Sequence, residues 1–244
     1  RDLTDMGREE ELAIEGGSPI IDTQIPLGVS GPSIVGEEEI AAVSDLLRSQ
    51  QLFRHRESSE ASQMEREAAD YLGVKHALMV NSGTSALICA LTGVGVGPGD
   101  EVIVPGYTFI ATAAAVIATG AVPIIAEIDE SLGLSPEDVE KKITPFTKAI
   151  VPVHMRGVPA RLEALIDLAS KHNLKVVEDC CQSVGAEYKG QKVGTLGDAG
   201  AWSLNYYKTI SSGEGGVVYT NDRDVFERAC LAADPGLPMW KTAD

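Results

Sequence analysis

A lysine in a segment rich in serine and glycine is the first residue whose context suggests chemistry. Lys208 lies within residues 198–216, five residues after Ser203 and just beyond a strand predicted over 199–204. A lysine amine whose pKa is lowered by burial can act as a nucleophile and form a Schiff base. The alternative is a solvated surface charge, which is what most lysines are.

A carboxylate follows another predicted strand. Asp179 and its neighbour Glu178 come directly after a strand predicted over 175–177. A carboxylate in this place can pair with a cation beside the sheet, but aspartate is also a common helix N-cap. Capping is the default interpretation of Asp179 taken alone.

Small and aromatic side chains follow two further strands. Residues 81–85 (Asn-Ser-Gly-Thr-Ser) join a predicted strand to a helix, whose free N–H groups suit a phosphate. The alternative is that these residues only cap the helix. Residues 105–112 contain Tyr107 and Phe109, either of which could stack on a flat ring or simply pack in the core.

The hydrophobic pattern predicts the sheet that would bring these places together. Short apolar runs alternate with amphipathic helical stretches, which predicts crossover units and a mostly parallel sheet with helices on both faces. The predicted strands cover residues 76–80, 101–104, 122–128, 149–153, 175–177, 199–204 and 216–219. The predicted helices cover residues 37–47, 62–72, 84–91, 109–118, 136–143, 159–172 and 222–233. Ser62 and Glu65 are predicted to form a capping box, and Pro159 to stand in the first turn of its helix.

One edge of this sheet would then carry four kinds of group. Ligands of open α/β sheets bind outside the carboxyl ends of the strands, where a phosphate cradle, a stacking ring, an acid and a lysine amine would meet. Those are the requirements of pyridoxal 5'-phosphate (PLP). The sequence therefore predicts PLP as the cofactor.

Four segments also carry a resemblance to a known family. They are NSGTSAL at 81–87, GDEVIVPGYTFIAT at 99–112, VVEDCCQSVG at 176–185 and GDAGAWSLNYYKTISSGEGG at 197–216. In order and spacing they resemble the signatures of the DegT/DnrJ/EryC1/StrS family of PLP-dependent sugar aminotransferases. The resemblance implies an α/β fold, the large domain of a fold type I PLP-dependent transferase with a mostly parallel seven-stranded sheet.

The resemblance also implies a role for individual residues. Lys208 forms the Schiff base with PLP, Asp179 pairs with the pyridine nitrogen, and Gln182 lies against the cofactor. The remaining implied roles are phosphate binding by Gly83, Thr84 and Ser203 and contact with the ring face by Phe109 in preference to Tyr107.

The same resemblance bears on the reaction. Some branches of the family are dehydratases with histidine at the position of Lys208, so the lysine favours transfer of an amino group from glutamate or glutamine to a keto sugar. LFRHR, AEIDESLGLSP and VHM resemble most closely the members that act on eight-carbon keto-sugar acids, with aminocyclitol aminotransferases as close competitors. Arg156 departs from the family pattern, which has a small or aromatic residue there, so it either contacts an acidic substrate or faces solvent.

Composition and motifs weigh against other classes of protein. The 244-residue chain has 44% apolar residues and a formal net charge of −16, which predicts a folded protein that nucleic acids and anionic membranes repel. The most apolar stretch, 109–126, is interrupted by Gly120 and Pro123, so no membrane span is predicted. Residues 93–100 lack the third glycine of a dinucleotide fingerprint, which argues against a Rossmann oxidoreductase.

Cysteine and histidine usage adds two predictions. Cys180 and Cys181 are adjacent and no CxxC spacing occurs, which together with a charged N-terminus lacking a signal-peptide core predicts a cytoplasmic location. The four histidines share no metal-ligand spacing, so no metal site is predicted, and His154 is the one nearest the sheet edge. The histidines are His55, His76, His154 and His172.

The predicted domain organisation is an N-terminal segment over residues 1–30, expected to be mobile, followed by the PLP-binding large domain over 31–244. The family resemblance implies a smaller C-terminal domain that this chain lacks, and a homodimer with shared active sites. The chain as given is therefore predicted to be an incomplete enzyme. The rival interpretation is a non-catalytic binding or regulatory module, against which the presence of both Lys208 and Asp179 counts.

Overall fold

The computed structural model of the chain describes residues 16–18, 35–54 and 56–236. The prediction of a mobile N-terminal segment over residues 1–30 falls almost entirely outside these residues, and so does His55. The elements that position the candidate site all lie within the described part of the chain.

A seven-stranded sheet forms the centre of the fold, in the order β1-β9-β8-β5-β4-β2-β3. The strands are β1 His76–Val80, β2 Glu101–Pro105, β3 Val122–Ala126, β4 Thr147–Ile150, β5 Lys175–Asp179, β8 Ala199–Ser203 and β9 Gly216–Thr220. Only β9 runs against its two neighbours, so the prediction of a mostly parallel seven-stranded sheet is confirmed. Two short strands, β6 Glu187–Tyr188 and β7 Gln191–Lys192, form a separate hairpin that the sequence pattern did not predict.

Helices cover both faces of the sheet. They are α1 Glu37–Ser49, α2 Glu60–Leu72, α3 Gly83–Gly93, α4 Ala111–Ala118, α5 Pro136–Lys142, α6 Leu162–His172 and α7 Arg223–Ala233. Residues of α3, α4 and α7 pack on one face, for example Leu87, Val116 and Phe226. Residues of α2, α5 and α6 pack on the other, for example Leu72 and Leu165. Side chains of a strand alternate between the two covered faces, which is why β2 is apolar and buried from Val102 to Pro105.

Three details of the predicted elements are wrong. Ser59, not Ser62, caps α2, because its hydroxyl accepts the N–H of Ser62, and the carboxylate of Glu65 instead accepts the N–H of Met79.

The predicted helix over 159–172 begins only at Leu162, since the N–H of Ala160 is engaged by the His154 ring.

The fourth strand is also displaced from its predicted position over residues 149–153. The structure places β4 at Thr147–Ile150, and beyond it Pro152 has no N–H to give to a ladder. The chain nevertheless stays beside β5, because Val153 forms an isolated bridge with Asp179. This bridge keeps the segment after β4 at the edge of the candidate site.

No helix in the described part of the chain combines the length and the apolar character that a membrane crossing requires.

Candidate active site

A cavity of about 450 Å³ opens beside the carboxyl ends of the central strands. All seven residues that the sequence singled out for cofactor binding and catalysis line it, namely Gly83, Thr84, Phe109, Asp179, Gln182, Ser203 and Lys208. They come from segments that are far apart in the chain, and the parallel arrangement of the strands brings the segments to one edge. The structure thus assembles one candidate site from separate motifs.

The phosphate cradle predicted at residues 81–85 lies at the N-terminus of α3. The hydroxyl of Ser82 caps this helix by accepting the N–H of Ser85 at 3.0 Å, so the capping interpretation holds for Ser82. Gly83 and Thr84 occupy the first helical positions, whose N–H groups have no partner within the helix and suit an anion. The Ser82 cap therefore leaves these N–H groups open to an anion, and phosphate binding by them stays a prediction.

Gly83 also has to be glycine for steric reasons. A Cβ atom built on it would stand 2.6 Å from the Cβ of Ser203, far inside the range of real contacts. The close approach brings the hydroxyl of Ser203, at the end of β8, next to the start of α3. A hydroxyl and free backbone N–H groups therefore converge on one corner of the cavity.

Asp179 is held in place by its backbone and by its side chain. Its N–H donates to the carbonyl of Pro152 at 2.9 Å, and its carbonyl accepts the N–H of His154 at 3.1 Å. Its Oδ1 accepts the N–H of Cys181 at 3.1 Å and its Oδ2 accepts the hydroxyl of Thr112 at 2.8 Å. The side chain is only 5% exposed. No helix follows β5 directly, so helix capping is the wrong interpretation of Asp179.

Lys208 lies in the loop that joins β8 to β9. Its N–H donates to the carbonyl of Asn205, and the side-chain amide of Asn205 donates to Glu214 at 2.7 Å across the loop. Among the described residues, no carboxylate forms an ion pair with the Lys208 amine. Lys208 therefore belongs to a hydrogen-bonded loop that lines the cavity, and its amine has no ion pair within the described part of the chain.

A second cavity, of about 530 Å³, adjoins the first. The two share Phe109, Gln182 and Lys208, whereas Tyr107 lines only the second. The structure thus distinguishes the two aromatic candidates, because only Phe109 lines the first cavity together with the other candidate residues. This arrangement agrees with the preference for Phe109 as the ring contact, which stays a prediction.

A buried network lies directly behind Asp179. The carboxylate of Glu178 points to the opposite side of β5 and accepts the N–H groups of Gly194, Leu196 and Gly197 at 2.7 to 2.9 Å. It also accepts Nε2–H of His154 at 3.0 Å, because Nδ1 of this ring accepts the N–H of Ala160. The network joins β5 to two loops.

The ligand atoms of His154, Glu178 and Cys180 lie within 4.8 Å of one another, a grouping that the sequence spacing did not reveal. Both ring nitrogens of His154 and both oxygens of Glu178 are already engaged in hydrogen bonds. Burial raises the pKa of the Cys180 thiol well above its usual value, and the nearby Glu178 carboxylate adds to the effect. These contacts favour a structural role for the cluster, and the absence of a metal site stays a prediction.

The sequence pattern did not reveal the residues that hold the candidate site residues in place. Thr112 lies in the PGYTFIAT segment but received no role, although it contacts Asp179. Its hydrogen is used in that contact, so the hydroxyl of Thr108 must donate to Thr112 Oγ1 at 2.7 Å. The spacing of four residues between two threonines at a helix start was the available signal.

The cavity fits PLP by the chemistry of its lining. It offers a carboxylate, a lysine amine, a helix N-terminus with a nearby hydroxyl, and an aromatic side chain. The contact between Gly83 and Ser203 leaves no room for a side chain at the cradle, which is typical of a backbone that approaches a phosphate. The residues present are therefore those that the group requires.

Residues 33–243 match the sequence model of the DegT/DnrJ/EryC1/StrS aminotransferase family. The chain belongs to this family.

Individual relatives agree with this assignment. GDP-perosamine synthase of Caulobacter vibrioides is 44% identical over 183 residues, which are 73% of this chain and 49% of the relative. L-glutamine:2-deoxy-scyllo-inosose aminotransferase of Streptoalloteichus tenebrarius is 44% identical over 72% of this chain and 42% of its own length. The chain thus spans about half the length of the curated relatives that it matches.

One structurally similar protein has been solved in a form with PLP. The PLP form of Spr1654 from Streptococcus pneumoniae superposes with a TM-score of 0.77, covering 86% of this chain and 57% of its own, at 26% identity. The family and its structures therefore imply PLP. The α/β architecture is that of the fold type I aminotransferases, as predicted.

Proposed function

We propose that the chain is the PLP-binding large domain, residues 31–244, of a sugar aminotransferase. The observation that carries the proposal is the convergence of Lys208, Asp179 and the N-terminus of α3 on one cavity. Each group alone has a simpler explanation, but their meeting at the carboxyl ends of parallel strands does not follow from capping or surface charge. The alternative of a non-catalytic module gives no reason for an amine and a carboxylate to share this cavity.

The residues divide the work of binding. Gly83, Thr84 and Ser203 hold the phosphate through two N–H groups and a hydroxyl. Phe109 and Gln182 contact the ring. Bound PLP supplies an electron sink for the carbon that carries the migrating amine.

Two residues would control where protons are held and transferred in the reaction. Asp179, fixed by Thr112 and Cys181, holds the proton on the pyridine nitrogen through its negative charge. Lys208 would hold the cofactor through its amine, and the same amine, when free, would move a proton to and from the donor carbon. Both roles require the two side chains to line the same cavity, as they do.

The proposed reaction moves an amino group from glutamate or glutamine to a keto sugar. Curated relatives named as GDP-perosamine synthase and as L-glutamine:2-deoxy-scyllo-inosose aminotransferase support a sugar or cyclitol acceptor and, for the second, a glutamine donor. Within this class the acceptor is an eight-carbon keto-sugar acid or an aminocyclitol precursor.

We further propose a homodimer with shared active sites in the cytoplasm. Apolar side chains of α4 and of the edge strand β3 are exposed, with Ile117, Val122 and Ile125 each more than half exposed. Ile110 is 71% exposed and follows Phe109 directly, so a partner on this surface would reach the cavity. The four cysteines are all free, which agrees with a reducing compartment. Light scattering of the purified protein tests the dimer.

The decisive experiment is to trap the link between PLP and the protein. The holoprotein is reduced with borohydride, digested, and mapped by mass spectrometry. We expect the pyridoxyl group on the peptide that contains Lys208, loss of the visible absorption band in Lys208→Ala, and no change in the matched control Lys141→Ala, an exposed lysine on α5. A label on another lysine would overturn the assignment of Lys208, and no visible band with any preparation would favour the non-catalytic module.

A further inference from the structure

A second cavity adjoins the one that holds the groups assigned to the cofactor, and Lys208 lines both. The first cavity holds the groups assigned to the cofactor, while the second opens beside it and shares Lys208, Gln182 and Phe109 with it. With the first cavity filled by the cofactor, the second would be the open side of the Lys208 amine. Side chains that line the second cavity would then be the ones to contact a substrate.

The charges in this cavity are all of one sign. Among the described residues that line it, Arg156 and Lys208 are cationic and none is a carboxylate. This is unusual for a chain with a formal net charge of −16, in which acidic residues outnumber basic ones by 36 to 20. When Lys208 is engaged with the cofactor, Arg156 is the cation that is left to attract an anion.

The guanidinium of Arg156 differs in its surroundings from that of Arg161, a neighbour in the same segment. The guanidinium of Arg161 forms ion pairs with Asp129 at 3.4 Å and with Glu137 at 3.1 Å. Arg156 is exposed and has no ion pair with a carboxylate of the described residues. Its guanidinium is therefore available to a ligand.

The backbone fixes Arg156 at the rim of the cavity. It has φ 55° and ψ 23°, a left-handed conformation that non-glycine residues seldom adopt, within the short 3-10 helix Met155–Gly157. The side chain of Met155 is buried, and the N–H of Arg156 donates to Oε1 of Gln182 at 3.4 Å. This turn therefore ties Arg156 to a residue that lines both cavities.

We propose that Arg156 is a specificity-determining residue that binds a carboxylate of the substrate. The planar guanidinium fork matches a carboxylate through two parallel hydrogen bonds. The inference rests on the proposed function, because it assumes that the substrate enters beside Lys208. Two sources share this chemistry, the side-chain carboxylate of a glutamate donor and the carboxylate of a sugar-acid acceptor.

Binding of unreactive probes tests the proposal without turnover. Calorimetric titrations of the holoprotein at constant ionic strength use glutarate for the donor and gluconate for the acceptor. The neutral probes glutaramide and glucitol match them in shape. The variants are Arg156→Gln and Arg156→Lys, and Lys141→Gln controls for the loss of one positive charge.

We expect Arg156→Gln to raise the Kd of at least one carboxylate probe by about tenfold or more, the usual effect of losing a charged hydrogen-bond donor. Arg156→Lys should lose part of this affinity, because it keeps the charge but not the fork, and Lys141→Gln should lose none. An effect on glutarate alone identifies the donor, and an effect on gluconate alone identifies the acceptor. Equal affinities in wild type and Arg156→Gln, or no preference of the wild type for carboxylates, would overturn the proposal.

The failure of this inference can be told from the failure of the proposed function. Trapping of pyridoxyl on Lys208 together with unchanged Kd values in Arg156→Gln rejects only the carboxylate site. The same titrations on protein without PLP show whether Arg156 binds carboxylates even if Lys208 is not labelled. Carboxylate binding that depends on Arg156, without a label on Lys208, would reject the proposed function and support the anion site.

Discussion

The hydroxyl of Thr112 donates a hydrogen bond of 2.8 Å to Oδ2 of Asp179. The two residues are 67 positions apart, one in the first turn of α4 and the other at the end of β5. Thr112 is 1% exposed, so water does not replace this donor easily. Because Oδ1 is occupied by the N–H of Cys181, the orientation of the carboxylate depends on both contacts.

Thr112→Val should therefore lower turnover of the holoenzyme without unfolding it. The change removes the donor to Asp179 while keeping a branched side chain of similar size, and a hydrogen bond to a charged group is worth about 1.5–3 kcal/mol, or roughly tenfold to a hundredfold in rate. Thr112→Ser keeps the hydroxyl and should retain most activity. Steady-state kinetics measure the turnover of the two variants, and the pH dependence of the cofactor absorption reports how well Asp179 is held beside the cofactor. Equal losses in Val and Ser variants would point to packing instead of hydrogen bonding.

Asp179→Asn should cost far more activity than stability. Asparagine keeps an oxygen for the N–H of Cys181 but removes the charge that holds the proton on the pyridine nitrogen. Loss of a preorganised electrostatic group typically lowers kcat by about 10²–10³-fold. Turnover and thermal unfolding are measured on the same preparation, and near-normal turnover would reject the assigned role.

The convergence of the candidate site residues could be predicted from the sequence because the ends of strands can be recognised in it. Lys208 and Asp179 each follow an apolar run, and in a parallel sheet such positions meet at one edge whatever the details of packing. All seven main strands were predicted for the same reason. The hairpin β6–β7 was not, because two strands of two residues each leave no hydrophobic period to detect.

The supporting residues could not be predicted, because their roles arise only from long-range contacts. His154 and Glu178 are 24 residues apart and have no common motif, yet their side chains lie 3.0 Å apart in the core. Arg156 could be noticed in the sequence, but its place at the second cavity depends on a turn with positive φ. Local patterns do not report which loops a folded sheet brings together.

Glu178→Gln should destabilise the protein strongly. The carboxylate is fully buried and accepts four hydrogen bonds, from three loop N–H groups and from His154. An amide replaces one acceptor oxygen with a donor that faces other donors, and each buried unsatisfied group costs about 1–3 kcal/mol. We expect the free energy of unfolding to fall by about 3 kcal/mol in urea titrations.

Glu187→Gln is the matched control for this change. It removes the same charge from an ion pair between Glu187 and Lys192 whose carboxylate is half exposed. Pairs of this kind contribute about 0–1 kcal/mol. Similar losses in the two variants would contradict the structural role of Glu178.

The reactivity of Cys181 should report the electrostatics of the cavity. Burial and, to a lesser extent, the Asp179 carboxylate raise the pKa of its thiol well above the usual value, because both disfavour the thiolate. The thiolate is the reactive form, so alkylation by iodoacetamide should be slow at pH 7–8 even though Cys181 lines both cavities. The rate should rise about tenfold per pH unit without levelling near pH 8.5, where an unperturbed cysteine titrates.

Asp179→Asn should accelerate the alkylation of Cys181 at fixed pH, since it removes a charge that opposes ionisation of the thiol. Mass spectrometry of the labelled peptide, with Cys181→Ser as the blank, measures the rate, and a plateau below pH 9 in the folded protein would show that the thiol is not perturbed.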